Sequence, residues 1–328
     1  MKSEVFKTIL LVALPASGKS EVRNLLAHMP AERLKKEFHI GKSLQLDDFP
    51  YVHMMRRIDN ELEALGQERI FYPGEAPFTD GRDWGTLCAL LNEDYLDLMT
   101  RNIVSTDSAA ELLFQRIDRA AQIAGLPPRL ELLPVRIRAQ VACRLENEAR
   151  NMLDAKHAAY PDSFEDKTVI IECARGGPDG ATMPLTGTFG YQYSLPMFSP
   201  SILESSAVLY IWVTPEESRR KNNDRADPND PGSNLHHGVP MAVMLGDYGT
   251  DDMQYLADTS EIPGTLTVHA HGKTYHLPLG IFDNRTDRTS FLREDADKWD
   301  SVMVGQVIDS IRTATEKMYA RYPLTKDE

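Results

Sequence analysis

Residues Thr8 to Ser20 constrain the fold of this chain more than any other stretch. Thr8-Ile9-Leu10-Leu11-Val12 is an unbroken apolar run, the pattern of a buried strand. It leads straight into Ala13-Leu14-Pro15-Ala16-Ser17-Gly18-Lys19-Ser20, a tight turn of small residues. Val22, Leu25, Leu26 and Met29 then recur at the spacing of a one-sided helix, and Pro30 stops it. Strand, small-residue turn and helix in that order set backbone N–H groups around an anion, with a helix N-terminus facing it.

The Pro-x-Ser-Gly-Lys-Ser core ending at Ser20 resembles the phosphate-binding loop of the P-loop NTPase superfamily, and within it the loops of small-molecule, nucleotide and polynucleotide kinases. The resemblance implies an α/β class: a three-layer P-loop NTPase fold with a central, mostly parallel sheet, and ATP and Mg²⁺ as cofactors. It implies a nucleotide-binding segment of Pro15, Ala16, Ser17, Gly18, Lys19, Ser20 and Glu21, with Lys19 on the β- and γ-phosphates and the Ser20 hydroxyl on Mg²⁺. The usual pattern opens with glycine where this chain has Ala13. If the backbone there needs a positive φ, alanine costs about 1 kcal/mol more than glycine. Lys2 and Lys7 beside an apolar core are also parts of a secretory signal. The core is short, carries Glu4 and runs on into a helix pattern, so no signal is expected.

With 328 residues the chain is long enough for one large α/β domain, or a domain with an insert. A net charge of −13 opposes non-specific attraction to nucleic acid or to an anionic membrane. Cys88, Cys143 and Cys173 are odd in number and widely spaced, so neither a disulfide framework nor a zinc site is expected, and a reducing cytoplasm fits best. No apolar stretch approaches the length of a membrane span.

Phe38 to Phe49 reads as a second strand ending in Asp47-Asp48, where an open parallel sheet places ligand-binding carboxylates. The stretch resembles the Asp-Asp-Tyr-Arg element of polynucleotide kinases, which implies Asp47 as general base with Asp48 its neighbour. The alternative is that both are solvated turn residues or a helix N-cap. Residues 51–166 read as a large helical insert, with helices over Trp84–Met99, Ala109–Ala124 and Val135–Tyr160. Arg136, Arg138, Arg144 and Arg150 read as a solvated face paired with Glu146 and Glu148. The insert is the expected region for acceptor specificity or for a protein partner.

Thr168 to Ala174 is a buried β-branched strand ending at Glu172. The resemblance gives Glu172 the role of ordering Mg²⁺, through water, or of a catalytic base; simple pairing with Arg175 is the alternative. Ala207 to Val213 is another central strand, followed by Thr214-Pro215-Glu216-Glu217, an N-cap, an N1 proline and the glutamate of a capping box. Arg219, Arg220 and Arg225 on that helix resemble the lid arginines that close over a transferring phosphoryl group in nucleotide kinases. Helix-dipole cations are the alternative. The segment 222–240, rich in Asn, Asp, Pro and Gly, is lid-like, and His236-His237 within it lacks a matching ligand pair. Leu266 to Leu279 reads as a hairpin turning at His271-Gly272, and a late strand ends in Asp283-Asn284, similar to the segment that passes the adenine ring, so Asn284 is a candidate base contact. Trp299 to Tyr319 closes the chain as an amphipathic helix.

The whole is expected to be a single P-loop kinase-like domain, an ATP-dependent phosphotransferase acting on a small hydroxyl- or phosphate-bearing acceptor. The alternatives are a nucleotide-gated regulatory ATPase that presents its insert to a protein, and a polynucleotide 5′-hydroxyl kinase, which the acidity disfavours.

Overall fold

The computed structural model describes residues 4–225 and 238–322, Arg225 by its backbone alone. In chain order its main elements are β1 (Thr8–Val12), α1 (Lys19–Ala27), β2 (Lys42–Asp47), α2 (Phe49–Ala64), α3 (Asp83–Thr100), α4 (Ala109–Ile123), α5 (Val135–Ala158), β3 (Lys167–Cys173), β4 (Ser206–Trp212), α6 (Pro215–Arg225), β5 (Thr265–Ala270), β6 (Lys273–Asp283) and α7 (Ser301–Tyr319). They fall into two compact units. One comprises Met1–Gln45, Phe164–Pro196 and Pro200–Glu328, the other Leu46–Ser163 with Met197–Ser199.

The first unit is built on a six-stranded sheet of order β2-β3-β1-β4-β6-β5. β3, β1, β4 and β6 run parallel, and only β5 is shown antiparallel, to β6. The unbroken apolar runs of β1 and β4 follow from burial on both faces. Ile9, Leu11, Ala207, Leu209 and Ile211 pack on one side against Val22 and Leu25 of α1 and Ile311 and Met318 of α7. Leu10, Val12, Val208 and Tyr210, which alternate with them, are equally buried on the other. Each such aliphatic burial contributes roughly 1.5–3 kcal/mol. α7 lies so close to β6 that a Cβ on Gly280 would stand 2.6 Å from the Ala314 carbonyl. The β5–β6 hairpin turns at His271 (φ 52°) and Gly272 (φ 72°), the two left-handed positions of a tight type I′ turn.

The chain leaves β1 toward the β2 side of the sheet and leaves β4 toward the β6 side. These connections part above the carboxyl ends of two neighbouring parallel strands, the place where open α/β sheets bind ligands.

The second unit is helical, as the apolar periodicity of 84–160 requires. Several of its buried polar groups are matched, while Arg129 Nε, Arg138 Nε and the Tyr160 hydroxyl are buried without a hydrogen-bond partner. The Asp59 carboxylate accepts from the Ile70 amide at 2.7 Å and the Tyr72 amide at 2.7 Å, and also from Phe71. Arg116 reaches Asp94 at 2.6 Å and donates to the Tyr51 hydroxyl at 2.9 Å, and burial pushes that phenol well above its usual range. Along α5, Arg150 pairs with Glu146, Arg138 with Glu111 and Arg144 with Glu61, while Glu148 takes Arg57 of α2 instead of an arginine of its own helix. The continuous part of the unit runs from Leu46 to Ser163, against an expected insert of 51–166, and Met197–Ser199 joins it from later in the chain. Among the described residues no helix is long and apolar enough to cross a membrane.

Candidate functional site

β1 ends at Val12, and residues 13–18 carry the chain over to α1. The loop's positive φ values fall on Ala16 (52°) and Gly18 (101°), not on Ala13, so the anticipated cost of alanine at position 13 does not arise. The strain sits on Ala16 instead, at about 1 kcal/mol. Gly18 is fixed as glycine twice over, because a Cβ there would stand 2.4 Å from Thr289 Oγ1 and 2.7 Å from Asn284 Nδ2.

Three of the loop's carbonyls are bonded by distant side chains. Ala13 accepts from the Tyr191 hydroxyl at 3.1 Å, Pro15 from the Ser218 hydroxyl at 2.7 Å and Ser17 from the Asn284 amide at 2.6 Å. A peptide that turns its carbonyl outward turns the next N–H the opposite way, which is the geometry of an anion cradle. At the start of α1 the first amide to close a helical bond is that of Val22, on the Gly18 carbonyl at 2.9 Å. The amides of Lys19, Ser20 and Glu21 precede it and have no intrahelical acceptor, and Gly18 supplies no side-chain cap. The Ser17 hydroxyl is buried with no hydrogen-bond partner. A buried donor left in this state lacks an acceptor oxygen, and a phosphate supplies one.

Lys19 folds back over the loop. Its Nζ lies 3.4 Å from the Leu14 carbonyl and 4.0 Å from Glu172 Oε1. Glu172, paired across the sheet with Leu11, is held by Arg23, one helical turn beyond Lys19. The expected partner Arg175 is not used: it is buried elsewhere, on the Ser194 hydroxyl at 3.1 Å and the Ala174 carbonyl at 2.7 Å. The Glu21 carboxylate is held by Arg293 at 2.7 Å. Ser20 is half-buried, while Ala16 and Ser17 are buried. Among the described residues no group of three or more His, Cys, Asp or Glu gathers to hold a metal ion.

The other expected site residues are placed as follows. Asn284 is fully buried and its side chain is spent on the loop and its surroundings: Nδ2 reaches Ser17 and Thr289, and Oδ1 accepts from Arg288. Asp47 Oδ1 accepts from the Phe49 amide at 2.9 Å, turning the chain into α2, and Asp48 stands at the N-cap position of that helix. Arg219 pairs with Asp179 at 3.0 Å, and Arg220 with Glu217, Asp224 and Asp287. Glu217, expected to close a capping box, is thus engaged by Arg220, while Thr214 caps the helix through the Glu217 amide at 3.2 Å. The side chain of Arg225, residues 226–237 of the lid-like segment and His236-His237 lie outside the described residues.

Sequence reasoning missed Arg23, Ser218, Tyr191 and the pair Lys221–Asp287. Lys221 has a wholly buried side chain with its Nζ 2.7 Å from Asp287 Oδ1. Burial acts against the Asp287 carboxylate, but Lys221 and Ser290 outweigh it and hold its pKa down to about 2. Only Arg23 had a sequence signal, its i+4 spacing from Lys19. No family model, curated protein or solved structure matches the chain.

Proposed function

We propose that this chain is an ATP-dependent phosphotransferase of the P-loop kind, with the three-layer fold of that superfamily, acting on a small hydroxyl- or phosphate-bearing acceptor. The observation that carries the reading is the Lys19 ammonium folded back on the Leu14 carbonyl at 3.4 Å, above a loop whose Ala13, Pro15 and Ser17 carbonyls are bonded by distant side chains. A polyphosphate in that loop takes the amides that open α1, the Ser17 hydroxyl and the Lys19 ammonium, so that charge building on the transferred group meets fixed donors. Ser20 and Glu172, the latter through water, are the residues that would hold Mg²⁺, which when bound draws charge off the phosphate oxygens. On sequence grounds alone, Asp47 or Asp48 takes the acceptor's proton, with Glu172 as the other candidate. Arg219, Arg220 and Arg225 reach a phosphoryl group only by leaving the carboxylates that hold the first two.

A compact helical unit of its own at Leu46–Ser163 favours a second reading, a nucleotide-gated ATPase that presents this unit to a protein partner. Turnover raised by a small acceptor supports the first reading, and turnover raised only by a macromolecule supports the second.

The test of nucleotide binding is calorimetry with Mg²⁺ and a non-hydrolysable ATP analogue. The wild type is expected to release heat and Lys19→Ala, with an unchanged circular dichroism spectrum, to release none. Absence of heat with the wild type removes the reading.

A further inference from the structure

We propose that Arg23 is a positioning residue that holds Glu172 off Lys19 and so keeps the ammonium available to a polyphosphate; this rests on the phosphotransferase reading above. The carboxylate divides its two oxygens. Oε2 is taken by Arg23 Nη1, and Oε1 stands 4.0 Å from Lys19 Nζ, outside hydrogen-bond reach. Lys19 is left with a long bond to the Leu14 carbonyl at 3.4 Å, a neutral partner that an incoming phosphate displaces easily.

Arg23 is suited to this and to little else. Its guanidinium has Glu172 as its one partner among the described residues, and its Nε is buried without any. It stands four residues after Lys19, so α1 itself presents both cations to the end of β3. Two cations on one carboxylate leave the site with a net positive charge, in surroundings where the Lys19 and Glu172 side chains are only 8% and 13% exposed. Without Arg23 the carboxylate turns wholly to Lys19. The pair is then neutral, and a nucleotide must break it before it can bind.

The experiment is calorimetric titration of the Mg²⁺ complex of a non-hydrolysable ATP analogue into four proteins: wild type, Arg23→Ala, Arg23→Lys and the double variant Arg23→Ala with Glu172→Gln. Arg23→Ala is expected to bind roughly tenfold more weakly. Arg23→Lys is expected to recover part of the loss. The double variant is compared with wild type and Arg23→Ala using the same analogue in EDTA, where the part given to Glu172 beside Mg²⁺ does not enter; with no carboxylate left to neutralise Lys19, it is expected there to return close to wild-type affinity. Wild-type affinity in Arg23→Ala overturns the proposal. So does a loss that Glu172→Gln fails to repair, since that marks a merely structural role. No binding by the wild type is a different result, which removes the underlying functional reading.

Discussion

The side-chain amide of Asn284 donates to the carbonyl of Ser17 at 2.6 Å, tying the end of the last strand to the loop after the first. The same nitrogen reaches Thr289 Oγ1 at 2.9 Å, and both groups press on Gly18. Asn284→Ala is therefore expected to leave the Ser17 carbonyl and the Arg288 amide without partners, at a cost of about 1–3 kcal/mol. Urea unfolding measures it, and an unchanged midpoint would show the contact to be dispensable.

Gly18→Ala is expected to be among the most damaging small substitutions, since φ is 101° and the added carbon meets Thr289 Oγ1 at 2.4 Å. Combining it with Thr289→Ala removes the clash but not the backbone strain. The double variant should regain part of the stability lost, as read by thermal melting.

Asp287→Asn keeps a residue that tolerates the left-handed backbone at φ 49° but leaves the wholly buried Lys221 ammonium facing a neutral amide. A loss of roughly 3 kcal/mol is expected, largely recovered by adding Lys221→Met. The wild-type pair also sets an acid limb. Because the folded pKa of Asp287 is lowered to about 2, its stabilisation is fully present above the ordinary carboxylate range and fades as pH falls toward 2. That part of the slope should be missing in the double variant.

Asp251 titrates in the opposite sense. It keeps some exposure, yet loss of water around its charge, with a smaller push from Asp252, raises its carboxyl to about 6, against bonds from the Met253 amide and the Tyr210 hydroxyl. The folded state then holds a proton that the unfolded chain has released, so this group favours folding at low pH, and the benefit is lost as pH rises through 6. Asp251→Asn is expected to be more stable than wild type at pH 7.5, with the difference shrinking below pH 6. Equal slopes in both proteins between pH 5 and 7 would contradict the assignment.

In the helical unit, Asp59→Ala strands the amides of Ile70, Phe71 and Tyr72 in a place where the carboxylate is fully buried. A loss of at least about 3 kcal/mol and new protease cleavage near residues 66–74 are expected, with the helices α4 and α5 cut later.

The sequence by itself determined what depends on near neighbours. The apolar runs gave the strands, the spacing of Val22, Leu25 and Leu26 gave α1, and helices expected at Ala109–Ala124 and Val135–Tyr160 occur at Ala109–Ile123 and Val135–Ala158. Periodicity of burial and cap chemistry are local, so they are written in order along the chain. The hairpin turn at His271-Gly272 was legible for the same reason. Only the tertiary structure decided who holds whom. Glu172 answers to Arg23 and not to its near neighbour Arg175, Asn284 grips the loop, and Ser218 and Tyr191 fasten its carbonyls from 203 and 178 residues away. These pairings depend on which strands lie side by side in the order β2-β3-β1-β4-β6-β5, and a linear pattern of polar side chains carries no record of that order.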